Sequence, residues 1–207
     1  MPLYKTINVN KDTTVLIWKI EESYEALHKN IELTKHCEAR LVAMKSEIHQ
    51  RGFLSIRQLL KKAGYEPSAL YYDPFGKPHL KDDNHISITH SFTFSAIIIS
   101  TAEVGIDIEM QRNKIRKIAD KFVGYEWNYL DEHRFIEKLS VIWCIKESLY
   151  KTFAVKGMSF KQHCKVIPFD LNAQKTKAWA HYRSKVEKYD VAFFPLEGFM
   201  CAYALKL

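Results

Sequence analysis

The sequence predicts an α+β protein, and three observations carry that prediction. A proline-free stretch rich in good helix formers runs from Glu21 to Ala63, with Gly64 as its stop. Apolar residues then alternate over Ile86–Ser91 and run almost unbroken over Phe94–Ser100, as strands do. The same order, helical and then strand-like, recurs after Thr101, so the chain divides into an N-terminal α+β subdomain, 1–101, and a C-terminal one, 102–207.

In chain order, Val15-Leu16-Ile17-Trp18 reads as a strand ending at Ile20. The stretch from Glu21 to Ala63 holds two or three helices. In the last of them Ile48, Ile56, Leu59, Leu60 and Ala63 form a buried stripe that leaves Arg51, Arg57, Lys61 and Lys62 facing outward. Asp73-Pro74-Phe75-Gly76-Lys77-Pro78 marks a turn, which puts Lys77 on a stiff loop. His90 and Ser91 fall at the end of the next strand, where a loop presents both to a ligand and where the strand–turn–strand order places them in one neighbourhood with Asp107. Helical pattern covers Lys114–Phe122 and Tyr125–Lys151, the latter broken near Asp131. Strand-like content then fills Lys165–Pro168, Ala178–Val186, Asp190–Phe194 and Phe199–Leu205.

With 207 residues, 47% of them hydrophobic, the chain is large enough for a real core, which excludes a disordered protein. It has no apolar run of membrane-spanning length and no signal-peptide order at its N-terminus, so the expected location is the cytoplasm. Cys37, Cys144, Cys164 and Cys201 lack metal-type spacing and read as free thiols in a reducing compartment, which excludes a zinc site. A net charge of +7 steers anionic partners to the surface: a nucleic acid, a phosphorylated small molecule or an acidic protein.

The stretch with the most chemical content is Gly105-Ile106-Asp107-Ile108-Glu109. In an extended chain Asp107 and Glu109 share one face, and two carboxylates that close call for a hard divalent cation or for a solvated edge. Some 40 residues on, in Trp143-Cys144-Ile145-Lys146-Glu147-Ser148-Leu149-Tyr150-Lys151, Glu147 and Lys151 lie one helical turn apart. Alone they could be an ordinary Glu–Lys helix pair.

Together, Gly-Ile-Asp-Ile-Glu and the later Trp-Cys-x-Lys-Glu-Ser-x-x-Lys resemble the paired signature of the 4′-phosphopantetheinyl transferase superfamily. Gly76-Lys77-Pro78, Ile88-Thr89-His90-Ser91 and Lys156-Gly157-Met158-Ser159 add to the resemblance, and the chain length fits the monomeric, surfactin-synthetase-activating type. The resemblance implies a pseudo-twofold pair of similar α+β subdomains with coenzyme A in the cleft between them. It also implies transfer of the phosphopantetheine arm to a serine of an acidic acyl or peptidyl carrier protein, releasing adenosine 3′,5′-bisphosphate, with no nucleic acid or membrane as partner.

On that basis Asp107, Glu109 and Glu147 resemble the ligands of Mg²⁺, and Glu147 doubles as the base that takes the serine proton, directly or through a metal-bound water. Lys151 resembles a catalytic cation that reaches the phosphate or the attacking hydroxyl. Lys77, His90 and Ser91, with Arg51 and Arg57 from the N-terminal helix, resemble contacts to the phosphates of coenzyme A. Thr89 departs from the family's usual serine, and Cys144 from its serine or threonine; Cys144 reads as a small packed residue. No motif stands behind His79, His85, His133, His163 or His181, which are expected in solvent or core. The competing reading is a basic, non-catalytic module that binds nucleic acid or a carrier protein, which gives no reason for three aligned carboxylates.

Overall fold

The computed structural model describes residues 3–29 and 31–207, and the chain forms two compact units, Met1–Thr101 and Ala102–Leu207. Both are mixed α+β with antiparallel sheets.

In the first unit, β1 (Leu3–Asn10) and β2 (Thr13–Lys19) form a hairpin ahead of three helices, α1 (Tyr24–His28), α2 (Lys35–Ala43) and α3 (Glu47–Lys62). Ser23 and Thr34 cap α1 and α2 by accepting from the backbone N–H of Ala26 and Cys37. A small hairpin, β3 (Leu70–Tyr72) and β4 (Pro78–Leu80), precedes β5 (His85–Ser91) and β6 (Phe94–Ser100), and the main sheet has the order β1-β2-β6-β5. Its core gathers Leu16, Trp18, Leu27, Leu54, Leu59, Ile86 and Ile97.

Two expectations for α3 need correction. Ile48, expected in the buried stripe, is 49% exposed, because it lies in the first turn before the helix reaches the sheet. Arg57, expected to face outward, is 2% exposed, with its guanidinium carbon 3.4 Å from the centre of the Phe53 ring and its N–H groups given to Phe53 O and Cys37 Sγ. Stacking on an aromatic face lets a guanidinium enter a core that an ammonium would avoid.

The second unit opens with β7 (Val104–Met110), continues through a 3₁₀ stretch, Asn113–Ile118, into α4 (Ala119–Phe122), and makes a further 3₁₀ turn, Tyr125–Asn128. The helical pattern expected over Tyr125–Lys151 with a break near Asp131 is this 3₁₀ turn followed, across the break, by the long helix α5 (Phe135–Phe153). After α6 (Phe160–His163) come β8 (Cys164–Val166), β9 (Lys175–Tyr182), β10 (Lys185–Leu196) and β11 (Phe199–Lys206), in the sheet order β7-β11-β10-β9-β8. Val186, expected at the end of the second of these strands, belongs instead to the third, beyond a turn at Arg183 with φ +55°. α5 buries Leu139, Val141, Ile142, Ile145 and Leu149 against Ala202, Ala204, Val191 and Phe193 of the sheet, at roughly 2 kcal/mol for each large side chain removed from water.

Candidate functional site

The site in the second unit begins with a glycine. A side chain at Gly105 would lie 2.0 Å from the Ser148 carbonyl oxygen and 2.5 Å from Thr152 Oγ1, so α5 crosses β7 there at backbone distance. Strand alternation then puts Asp107 and Glu109 on the same face as Gly105, opposite Ala202 and Met200 of β11, which belong to the core under α5. Ile106 and Ile108, on the other face, are buried. The close crossing brings the last turns of α5 over the two carboxylates.

Each position of the α5 motif has a distinct task. Trp143 Nε1 donates to Glu109 Oε1 at 3.4 Å. Cys144 is fully buried and its thiol donates to Met200 O, so it packs as expected; burial and the charges of Asp107 and Glu109 hold it well above the usual thiol range. Ser148 Oγ bonds Cys144 O and Ala202 O, joining helix to sheet. Lys151 Nζ donates to Asp107 Oδ1 and Ile106 O, both at 2.8 Å.

Lys146 faces the opposite way. Its ammonium is fully buried and donates to Phe122 O, Phe160 O and Glu126, whose carboxylate also accepts from Gly124 N and Val166 N. Burial pushes Lys146 below the usual lysine range, against the pull of Glu126. Neither Trp143 nor Lys146 is marked in the sequence by more than its place in the motif; a tryptophan one turn before Glu147 is the signal for the first, and the second depends on α4, a 3₁₀ turn and α6, which meet it only in the fold.

The electrostatics are those of a site with surplus negative charge. Burial, then the neighbouring Asp107 charge, and less strongly Glu109, raise the Glu147 carboxyl to about 7, while Lys151 opposes them. Glu109 is raised by burial and by Asp107, against the Trp143 hydrogen bond, Lys151 and Arg112. Three carboxylates thus sense one another while one ammonium, itself pinned to Asp107, answers them. Among the described residues no group of three His, Cys, Asp or Glu side chains is arranged to hold a metal ion by itself. Mg²⁺ commonly takes one or two carboxylates together with water and substrate phosphate, and oxygen donors among which Glu109 and Glu147 are raised by burial and by the Asp107 charge fit that requirement.

The candidate residues of the first unit lie on α3, in the turn before β4 and at the end of β5. Arg51 is half-buried on α3 and gives one N–H to Ile20 O. Lys77 follows Gly76, at φ +86°, in the turn closed by Asp73, which accepts the Lys77 and Phe75 amides. His90 is exposed at the end of β5 with Ser91 half-exposed beside it; its Nδ1 would be 3.0 Å from a side chain at Gly52 of α3, and its ring centre is 6.3 Å from that of His49. His49, unremarked in the sequence, thus neighbours a candidate ligand residue. The buried Arg57 is committed to Phe53 and Cys37 and is withdrawn as a phosphate contact.

Residues 103–204, nearly the whole second unit, match the family model of the 4′-phosphopantetheinyl transferase superfamily. The chain is similar to the 4′-phosphopantetheinyl transferase gsp of Aneurinibacillus migulanus, with 29% identity over 136 residues, 62% of this chain and 54% of that protein. The chain therefore spans about half the length of this curated relative.

Proposed function

We propose that this protein transfers the 4′-phosphopantetheine moiety of coenzyme A to a serine hydroxyl of an acyl or peptidyl carrier protein and releases adenosine 3′,5′-bisphosphate. The observation that carries the reading is the convergence of Asp107, Glu109, Glu147 and Lys151 where α5 crosses β7, inside the segment that matches the superfamily. The serine oxygen forms a bond to the phosphorus that bears the pantetheine arm as that phosphorus loses the oxygen bridging it to the nucleotide phosphate. Asp107, Glu109 and Glu147 would hold Mg²⁺, which neutralises charge on the transferred group and the leaving bisphosphate. Glu147, raised to about 7, suits a base that takes the serine proton near neutrality, directly or through a water. Lys151, pinned at Asp107, supplies positive charge to the reacting phosphate. Arg51, Lys77, His90 and Ser91 are the candidates for the remaining phosphate contacts, and the protein acts as a cytoplasmic monomer.

An acidic partner suits the surface that follows β7. Lys114 and Lys117 are three apart in the 3₁₀ stretch and share a face, Lys121 follows one turn on in α4, and all three are exposed. The test is the mass of an unmodified carrier protein incubated with Mg²⁺ and coenzyme A. The carrier is expected to gain one phosphopantetheine, more slowly as salt rises and more slowly with K114E, K117E and K121E combined. No gain over a panel of competent acyl and peptidyl carriers would overturn the reading. Gain insensitive to salt and to the three lysines would overturn the acidic-surface part alone.

A further inference from the structure

The segment after α5 is closed by a capping arrangement built on a histidine. Ser159 is the N-cap of α6, and its Oγ accepts from the Gln162 backbone N–H at 3.3 Å. The reciprocal bond, in which a side chain of the first turn accepts the N–H of the cap residue itself, is made here by His163, whose Nδ1 takes the Ser159 N–H at 2.7 Å. The usual acceptor in such a box is Glu or Gln. A glutamate keeps accepting down to about pH 4 and an amide at every pH, whereas an imidazole nitrogen accepts only while it carries no proton. Protonation turns this acceptor into a donor that faces another donor.

What the box holds is the next residue. The Phe160 ring packs edge-on against Trp143, at 5.7 Å between centres, and against Tyr150, at 5.8 Å. On α5 these two residues lie one turn before and one turn after Glu147, and Trp143 is the donor to Glu109. The Phe160 carbonyl receives Lys146. A continuous set of contacts therefore runs from His163 through Ser159 and Phe160 to the indole that orients Glu109.

We propose that His163 is a positioning residue for the carboxylate site: uncharged, it holds Ser159 and so keeps Phe160 seated between Trp143 and Tyr150, and protonated, it releases that ring. The catalytic consequence rests on the transferase reading; the box itself does not. On the elements packed around His163, the titratable and charged groups are Tyr182 of β9, whose ring meets the imidazole edge-on at 4.9 Å, and Arg183, 5.4 Å over that tyrosine ring. They continue with Asp120 and Lys121 of α4, Lys161 of α6, whose carbonyl lies against Gly124, Lys165 of β8, and the Lys146–Glu126 pair that reaches Phe160 O. A charged imidazole gains some attraction to the Tyr182 ring, which offsets part of the lost hydrogen bond and limits the expected effect to a few-fold.

The test uses the whole protein without substrate. Amide exchange at Ser159, corrected for the intrinsic rate, is measured between pH 8 and pH 5.5 for wild type, His163→Asn and His163→Ala. Asparagine offers an acceptor oxygen near the Nδ1 position and does not titrate. Wild-type protection should fall about fivefold as pH drops, the asparagine variant should hold its protection throughout, and the alanine variant should lack it at both ends. In carrier modification, wild type and His163→Asn should agree at pH 8 and part at pH 6, in kcat more than in KM for the carrier. Protection that falls in parallel for wild type and His163→Asn, or that does not change with pH in wild type, overturns the proposal even if His163→Ala fails to fold. If no variant modifies a carrier, the exchange measurement still decides the box, and only the transferase reading fails.

Discussion

Two lysine–carboxylate pairs on one helix show how similar chemistry serves different ends. Lys146 and Glu126 are both fully inaccessible, 2.8 Å apart, with every ammonium proton and both carboxylate oxygens engaged. Lys151 and Asp107 are as close, 2.8 Å, but the lysine side chain is 27% exposed and two further carboxylates press on the pair. The first pair is closed, its charges matched and its hydrogen bonds complete. The second is open, with negative charge in excess and access for a ligand. A completed pair binds secondary structure together, whereas an incomplete one leaves an electrostatic demand that a cation and a phosphate can meet.

Breaking the closed pair should have the largest effect on stability. Lys146→Ala leaves the Glu126 carboxylate buried without its cation, which should cost about 3–5 kcal/mol in denaturant unfolding. Lys146→Met combined with Glu126→Gln should recover part of that loss. A single variant within 1 kcal/mol of wild type, roughly the size of an exposed pair's contribution, would show that the pair is not the staple described here.

The open pair should behave in the opposite sense. Because Glu147 is raised in the folded protein to about 7, it is protonated there between its ordinary range and pH 7, and the stability this confers is lost as pH rises through 7. In metal-free buffer, Glu147→Gln should therefore be more stable than wild type at pH 8, by about 3 kcal/mol at most, and the difference should close toward pH 4.5. Equal stability at pH 8 would mean that burial and the Asp107 charge do not raise the Glu147 carboxyl.

The open pair was the more legible of the two in the sequence. Asp107 and Glu109 announce themselves by strand alternation, and Glu147 and Lys151 by helical spacing, both of which are local properties of the chain. The family resemblance then gave that spacing a chemical meaning. Lys146–Glu126 was not legible, because its parts come from α4, a 3₁₀ turn, α5 and α6, and nothing local says that a lysine inside a mixed helix will point into the core. Arg57 misled for the same reason: helical periodicity places it outward, and only the Phe53 ring beside it explains its burial. The α+β class could be read from composition and period, although each unit opens with a strand ahead of its helices. The β1–β2 hairpin and the turn between β9 and β10 were not legible, because their turn residues, Lys11-Asp12 and Arg183-Ser184, include no glycine or proline to mark them.

Calorimetric titration of coenzyme A into the protein, with and without Mg²⁺, for wild type and Glu147→Gln, tests the central claim most directly. If the open pair is a cation–pyrophosphate site, Mg²⁺ should tighten coenzyme A binding about tenfold or more in wild type and scarcely at all in the variant. Coenzyme A affinity that ignores Mg²⁺ in wild type, or a Mg²⁺ effect that survives intact in Glu147→Gln, would contradict it.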